Sequence, residues 1–273
     1  MADISAFIQT VKLPVMPEVA HALIRTLNDE DADVVTVRDV IAKDPALTAT
    51  LLRMANSALF GLSRSVTTLD SAVSVVGMSQ IRARALGICM AQVFSLPAGV
   101  NRLEFWRYSM VCAGYAKFLA CEVHIDEQQA WLTAMMLRLG ELLIVQHQPA
   151  LLDALQKQPC AAAERWLRQR ELLGFDEGRV TAEIAKRWDF PEEVVQALGH
   201  CGDLLAAVQQ SKLCAVVHMA GWLADQASSH VTVLQAVPQL PAALQHYLSL
   251  PTESLQTRLP DPDAFSDVST LLA

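Results

Sequence analysis

Apolar residues recur along most of the chain at the three- and four-residue spacing of an amphipathic helix. The segment after Pro17 is typical, because its apolar residues fall on one helical face: Ala20, Leu23, Ile24 and Leu27. Alternation of apolar and polar residues with the period of a strand is nearly absent. The pattern therefore predicts an all-α fold.

Polar caps, prolines and glycines mark where the predicted helices begin and end. Asp44-Pro45 predicts a helix start, since the carboxylate can accept free N–H groups and proline needs no partner in the first turn. Gly61 is placed to end that helix. Thr36 with Asp39 resembles a capping box. Further helices are predicted at 68–76, 79–94, 101–122, 128–146, 161–172, 177–188, from 191 onward, and at 204–226.

The best internal boundary is Pro97-Ala98-Gly99, which no helix can easily cross. It divides the chain into an N-terminal helical lobe at about 13–97 and a second lobe at about 101–212. Residues 213–273 form a C-terminal helix followed by a proline-punctuated helical extension. Residues 1–212 are therefore expected to form one two-lobed domain.

The composition is that of an ordered globular chain. It has 273 residues, 52% of them hydrophobic, and a formal net charge of −8, with a mean hydropathy of +0.28. The negative charge disfavours a general nucleic-acid coat. The most apolar run, Ala130–Val145, carries Arg138 and Glu141 and is too short for the roughly 20 residues that span a membrane.

The six cysteines show no CxxC motif and most lie in apolar runs, which is typical of buried free thiols in a reducing compartment. The N-terminus lacks the basic segment and long apolar core of a signal peptide. We therefore expect a cytoplasmic protein with no membrane association.

A resemblance to a known family is carried by five stretches. Three lie in the first lobe, LPVMPEVAHALI, KDPALTATLLRMANSALFGL and TTLDSAVSVVGMSQIRARAL, and two in the second, FWRYS and ELLGFDEGRVTAEIAKRWDFPEEVVQALGH. Between about Leu13 and Cys214 the chain resembles the HDOD domain, a bacterial signalling module related to the HD metal-dependent phosphohydrolases. The resemblance implies a two-lobed helical fold, a role in signal transduction and, usually, no demonstrated catalysis.

The metal ligands that the HD superfamily would imply are missing. That superfamily has a His after an aromatic opening and a His-Asp pair before a Gly, where this chain has Tyr108, then Leu137 and Arg138. Leu137 has no lone pair, and Arg138 places a permanent positive charge where a cation would bind. Residues 177, 181 and 201 also depart from the family, as Glu177, Thr181 and Cys201. We therefore expect no metal, no cofactor and no catalysis.

Arg138 lies in a nearly uncharged run, so its guanidinium must find an acceptor. The favoured interpretation is an internal pair with Glu141, one turn away. The alternative is a pocket for a small anionic ligand, formed by Tyr108, Arg138, Glu141 and His200. Of the histidines, none of His124, His147, His200 and His218 has a ligand-type partner at helical spacing, so capping, surface or core roles are expected.

Two further segments invite a functional interpretation. Asn56 and Ser57 interrupt an apolar helix and, with Phe60 and Leu62, could form a partner-recognition surface, although short polar side chains more often bond nearby backbone.

The second segment resembles a helix-turn-helix, with Gly77 in the turn and Arg82 and Arg84 on the following helix. The acidic chain disfavours DNA binding there.

Together these observations predict a non-catalytic bacterial signalling module that binds a protein partner through the groove between its lobes. If Arg138 lies in a pocket, the module also binds a small anionic ligand there. The first alternative is a divergent metal-dependent phosphohydrolase, as superfamily resemblance alone would suggest. The second is a DNA-binding regulator.

Overall fold

The computed structural model describes residues 4–29, 31–57, 65–156 and 163–272. Regular secondary structure in these ranges is helical throughout, which confirms the predicted all-α class. The α-helices are α1 (Ile4–Thr10), α2 (Glu18–Arg25), α3 (Val34–Ala42), α4 (Pro45–Ala55), α5 (Leu69–Val76), α6 (Met78–Val93), α7 (Arg102–Val123), α8 (Glu127–Met136), α9 (Leu139–His147), α10 (Ala150–Gln156), α11 (Glu164–Leu173), α12 (Glu177–Arg187), α13 (Glu192–His200), α14 (Leu204–Gln210), α15 (Lys212–Ser228), α16 (Val233–Ala236), α17 (Ala242–Leu248) and α18 (Thr252–Arg258).

The first lobe packs α2 to α6 around an aliphatic core. Asp44 caps α4 as predicted, because its carboxylate accepts the N–H groups of Ala46 and Leu47. The expected capping box at Thr36 is wrong: the cap of α3 is Asp33, whose side chain accepts the N–H of Thr36. The end of the helix expected at Gly61 lies outside the described residues.

The second lobe is built around α7, which packs along α8 and α15. Three tryptophans are fully buried here: Trp106, Trp131 and Trp166. A layer of α9, α12 and α13 packs behind them.

The helix predicted at 128–146 is interrupted, so α8 ends at Met136 and α9 starts at Leu139. Thr181 on α12 lies against the break. Its hydroxyl accepts the N–H of Gly140 at 2.8 Å and lies 3.2 Å from the carbonyl oxygen of Leu137. A β-carbon at Gly140 would overlap the carbonyl oxygen of Glu177, so glycine permits α9 and α12 to touch.

The helix predicted at 204–226 is also two helices, because Ser211 has an extended backbone and its side chain caps α15 by accepting the N–H of Cys214. A hydroxyl that accepts an N–H three residues on favours a new helix start over continuation.

The chain after α15 returns across the second lobe. A 3-10 turn, Pro262–Phe265, lies against α7, where the ring of Phe265 covers Gly114 and meets Tyr115 edge-on. Arg107 pairs with Asp263 at 2.8 Å. We call residues 259–272 the C-terminal strap. No helix in the described ranges is both long and apolar enough to cross a membrane.

Candidate functional site

The break between α8 and α9 directs Arg138 toward α7. Its Nε and Nη2 lie 2.6 and 2.5 Å from one oxygen of Glu141, so the internal pair expected from the sequence is formed. The guanidinium also stacks on Tyr108, 4.5 Å from the ring centroid. Burial lowers the pKa of Arg138, but Glu141, Glu177 and Tyr108 together outweigh it, so the pKa is raised overall.

A second buried arginine lies behind this pair. Arg165 on α11 donates from Nε and Nη2 to one oxygen of Glu177, at 3.0 and 2.8 Å. Its Nη1 donates to Asp225 at 2.5 Å, and its Nη2 lies 3.1 Å from the hydroxyl of Tyr108. Burial lowers the pKa of Arg165, but Asp225 and Glu177 raise it well above the usual value. The guanidinium therefore stays charged.

Glu177 is fully buried and all its polar atoms have partners. The indole N–H of Trp166 donates to Oε1 at 3.0 Å, and the amide of Gln169 donates to Oε2 at 2.9 Å. Burial would raise the pKa of Glu177, but Arg165 and Arg138 outweigh it and lower the pKa. The carboxylate is therefore charged and saturated with donors.

Asp225 and Tyr108 complete the cluster. The hydroxyl of Tyr108 lies 3.0 Å from Oδ1 of Asp225 and 3.2 Å from the carbonyl of Gly221, either of which can accept its proton. The N–H of Ala163 donates to Oδ2 of Asp225 at 2.9 Å. Burial raises the pKa of Tyr108 well above its usual value, so the phenol is neutral.

We call these five charged residues the buried ion network: Arg138, Glu141, Arg165, Glu177 and Asp225. The residues do not fit a divalent metal centre. The guanidinium of Arg165 already lies between the carboxylates of Glu177 and Asp225, and Leu137 offers no donor atom. In the described ranges no three His, Cys, Asp or Glu side chains converge in a way that could hold a metal ion.

An open cavity of about 650 Å³ lies over Arg138. Its walls come from the first half of α7, the end of α15, residues 230–232 and the C-terminal strap. Tyr108, Arg138 and Glu141 all line it, so the structure brings together three of the four residues proposed as a ligand pocket. We call it the Arg138 cavity.

The fourth residue, His200, lies elsewhere. Its Nδ1 is 2.8 Å from the carbonyl oxygen of Gln196, one turn back on α13. It lines a separate depression with Arg179 and Lys186. Grouping His200 with Tyr108 was therefore wrong, because α13 turns its last residue away from α7.

The other histidines take the structural roles expected of them. His218 is buried, with Nδ1 2.5 Å from the carbonyl oxygen of Cys201 and its ring against Trp166. His124 ends α7 in a left-handed conformation, and His147 is exposed at the end of α9.

Asn56 acts locally, as the favoured interpretation held. Its side-chain amide donates to the carbonyl of Val66 at 2.7 Å and its oxygen accepts the N–H of Val66, also at 2.7 Å. Ser57 is half-buried beside it. Phe60 and Leu62 lie outside the described residues, so the proposed recognition surface stays a prediction.

The two arginines of the helix-turn-helix segment are used inside the protein. Gly77 does separate α5 from α6, with a φ of 92°. However, Arg82 donates to the carbonyl of Thr26 at 2.7 Å, and the guanidinium of Arg84 lies 3.8 Å from the ring centroid of Trp131. Neither side chain projects as a base-reading residue must.

Sequence reasoning missed Arg165 and Asp225. Asp225 could have been found by the argument used for Arg138, because it too is a lone charge in an apolar helix. Arg165 could not, since it lies in ERWLRQRELL, where repeated charges are typical of an exposed face.

Fold and site together define an all-helical, two-lobed protein whose central polar site is filled by ion pairs between its own side chains. The chain belongs to the HDOD family, whose domain matches residues 13–203.

Several solved structures are similar over almost the whole chain. One, from Shewanella amazonensis SB2B, is provisionally named a phosphohydrolase. It is 26% identical, with a TM-score of 0.80, and the match covers 98% of both chains. An HDOD domain protein of unknown function from Geobacter sulfurreducens is 22% identical, with a TM-score of 0.67, covering 98% of this chain and 90% of that one.

A third structure, from Marinobacter aquaeolei VT8, is provisionally named a signal transduction protein. It is 20% identical, with a TM-score of 0.74, and covers 98% of this chain and 63% of that one. An uncharacterized protein from Treponema pallidum (strain Nichols) is 24% identical over 208 residues, which are 73% of this chain. This chain spans only 39% of that relative's length.

Proposed function

We propose that this chain is a non-catalytic signalling module that uses the HDOD fold to bind a protein partner. The observation that carries the proposal is the position of Arg165, whose guanidinium is held between Glu177 and Asp225. Family membership and the provisional signal-transduction name of the Marinobacter relative support the regulatory part.

An HD-type hydrolase needs metal ions to activate water for attack on a phosphate ester. A guanidinium cannot do this, because it holds no exchangeable water ligand and does not lose its proton at neutral pH. The carboxylate oxygens are also already used. Oε1 of Glu177 accepts two hydrogen bonds from Arg165 and one from Trp166, and Oδ1 of Asp225 accepts one from Arg165.

The second candidate is a divergent phosphohydrolase. The observation in its favour is the Shewanella structure, which carries that provisional name and resembles this chain over its full length. The Arg138 cavity would also give a substrate access to the site.

Activity assays separate the two candidates. The purified full chain is assayed on bis-p-nitrophenyl phosphate, nucleotides and cyclic dinucleotides with Mn²⁺, Fe²⁺, Ni²⁺ or Mg²⁺, and its metal content is measured. We expect no turnover above a buffer control and no stoichiometric metal. Turnover that survives repurification, is abolished by a chelator and is changed by Glu177→Gln would overturn the proposal.

Partner binding needs its own test. The tagged chain is used to capture proteins from the source organism, in parallel with Ser57→Arg and with Leu205→Arg, which alters an exposed leucine on α14. We expect a partner that is retained by Leu205→Arg and lost by Ser57→Arg. Equal capture by all three proteins would exclude the surface near Ser57.

A further inference from the structure

The Arg138 cavity has the size and lining of a small-molecule site. Its volume of about 650 Å³ lies in the middle of the roughly 300–1,000 Å³ range of such pockets. Apolar side chains form much of its wall, among them Val100, Phe105, Val231 and Pro262. An apolar ligand body would therefore find contacts on several sides.

The charges around the cavity do not favour an anion. Two arginines line it, Arg107 and Arg138. Four carboxylates also line it: Glu104, Glu141, Asp261 and Asp263. The formal balance of these six side chains is −2. The remaining titratable groups in the wall are His230 and the phenol of Tyr108. Behind them the buried ion network adds one arginine and two further carboxylates.

Both arginines of the cavity wall already have an ion-pair partner. Arg138 pairs with Glu141 at 2.5 Å, and Arg107 pairs with Asp263 at 2.8 Å. An incoming phosphate or carboxylate would have to compete with these carboxylates for each guanidinium. The positive charge that the sequence placed at Arg138 is therefore not free to recruit an anion.

The unbalanced charge belongs to Glu104 and Asp261. Among the described residues neither carboxylate has an ion-pair partner, and both belong to exposed residues of the cavity wall, Glu104 on α7 and Asp261 on the C-terminal strap. A ligand amine could reach these groups while its body packs against Val231 and Pro262.

From this geometry we propose that the Arg138 cavity binds a small amphipathic organic cation, with its charged group at Glu104 and Asp261. The aromatic faces of Phe105 and Tyr108 are not available for the cation, because the guanidinium of Arg138 lies over both. Recognition therefore rests on the two carboxylates and the apolar wall. This proposal does not depend on the proposed function, so the result of the hydrolysis assay does not affect its test.

The test uses three probes with one indole ring and different charge: tryptamine (cation), tryptophol (neutral) and indole-3-propionate (anion). Binding to the full chain is measured by calorimetry and by the rise in melting temperature that a ligand of the folded state causes. We expect the order tryptamine, then tryptophol, then indole-3-propionate, with tryptamine binding weakened by added salt.

Matched variants locate the site. Glu104→Gln combined with Asp261→Asn should weaken tryptamine binding about tenfold or more, since a close charge pair is lost. Asp31→Asn combined with Glu253→Gln removes two exposed carboxylates outside the cavity and should leave it unchanged. Tryptamine that does not bind, binds no better than tryptophol, or is unaffected by the first pair of changes overturns the proposal, as does preferred binding of indole-3-propionate.

Discussion

Arg165 places two hydrogen bonds on a single carboxylate oxygen of Glu177, at 2.8 and 3.0 Å. This leaves Oε2 of Glu177 for Gln169 and leaves Nη1 of Arg165 for Asp225. One guanidinium thereby joins the consecutive helices α11 and α12 to Asp225 on α15, which lies 60 residues after Arg165 in the chain. The contact fixes how the second lobe closes around its polar centre.

Replacing Arg165 should destabilise the protein strongly. Arg165→Met would leave Glu177 and Asp225 buried without their cation, and breaking a buried pair in this way costs about 3–5 kcal/mol. Urea denaturation followed by circular dichroism measures the loss. Arg107→Met is the control, because its pair with Asp263 is exposed and worth at most about 1 kcal/mol. Equal effects of both changes would refute a structural role for Arg165.

The pair between Arg138 and Glu141 can be tested by a double-mutant cycle. Arg138→Leu alone leaves a buried carboxylate unpaired and should cost about 3–5 kcal/mol of unfolding free energy. Adding Glu141→Leu removes that carboxylate, so much of the loss should be recovered and the coupling energy should be clearly non-zero. An Arg138→Leu variant as stable as the wild type would refute the structural pairing, and a ligand role for Arg138 would require that this variant has also lost a thermal-shift response to phosphate-bearing ligands.

The sequence was sufficient for the fold because its helix signals are local. Asp44-Pro45 and the apolar spacing after Pro17 depend only on residues within a turn or two, and both gave the observed helices. The break at Leu137 could not be predicted, since the hydroxyl that binds the backbone there belongs to Thr181, which is 44 residues away.

The candidate site was predicted in part for the same reason. The pair of Arg138 with Glu141 is local and was found, whereas the contacts of Arg165 with Glu177 and Asp225 depend on tertiary packing. His200 was misplaced because its motif gave no information on which way α13 directs its last turn.

Two adjacent leucines on α4 should respond differently to truncation. Leu51 is fully buried, so Leu51→Ala should cost about 2–5 kcal/mol. Leu52 was expected to be equally buried from its apolar surroundings, but it is only half-buried, so Leu52→Ala should cost clearly less. Leu59, expected on the same face, lies outside the described residues. Melting temperatures of both variants test the assignment, and the reverse order would contradict it.

His218 should make the protein less stable as the pH falls. Burial lowers its pKa below 6.5 in the folded state, although the Cys201 carbonyl acts in the opposite direction. Below pH 6.5 the unfolded chain therefore binds a proton that the folded chain does not, and stability falls by at most about 1.4 kcal/mol per pH unit from this group. The fall continues down to the folded pKa.

His218→Asn keeps a donor near the Cys201 carbonyl but cannot titrate. Chemical denaturation between pH 7 and 5 should show a shallower loss of stability in this variant than in the wild type. Parallel slopes in the two proteins would mean that His218 is protonated in the folded state as readily as in the unfolded chain.

Gly114 should decide whether the C-terminal strap stays in place. A β-carbon at this position would overlap the ring of Phe265, near its attachment to the backbone, so the ring cannot simply rotate away. Gly114→Ala should improve the helix propensity of α7 by up to about 1 kcal/mol yet expel Phe265 and expose the strap to limited proteolysis. Combining it with Phe265→Gly, which removes the ring and the Cβ atom that both overlap a β-carbon at position 114, separates the clash from other effects, so any cleavage of the double variant should match that of Phe265→Gly alone. If Gly114→Ala is cleaved no faster than the wild type, the ring of Phe265 does not hold the strap against α7.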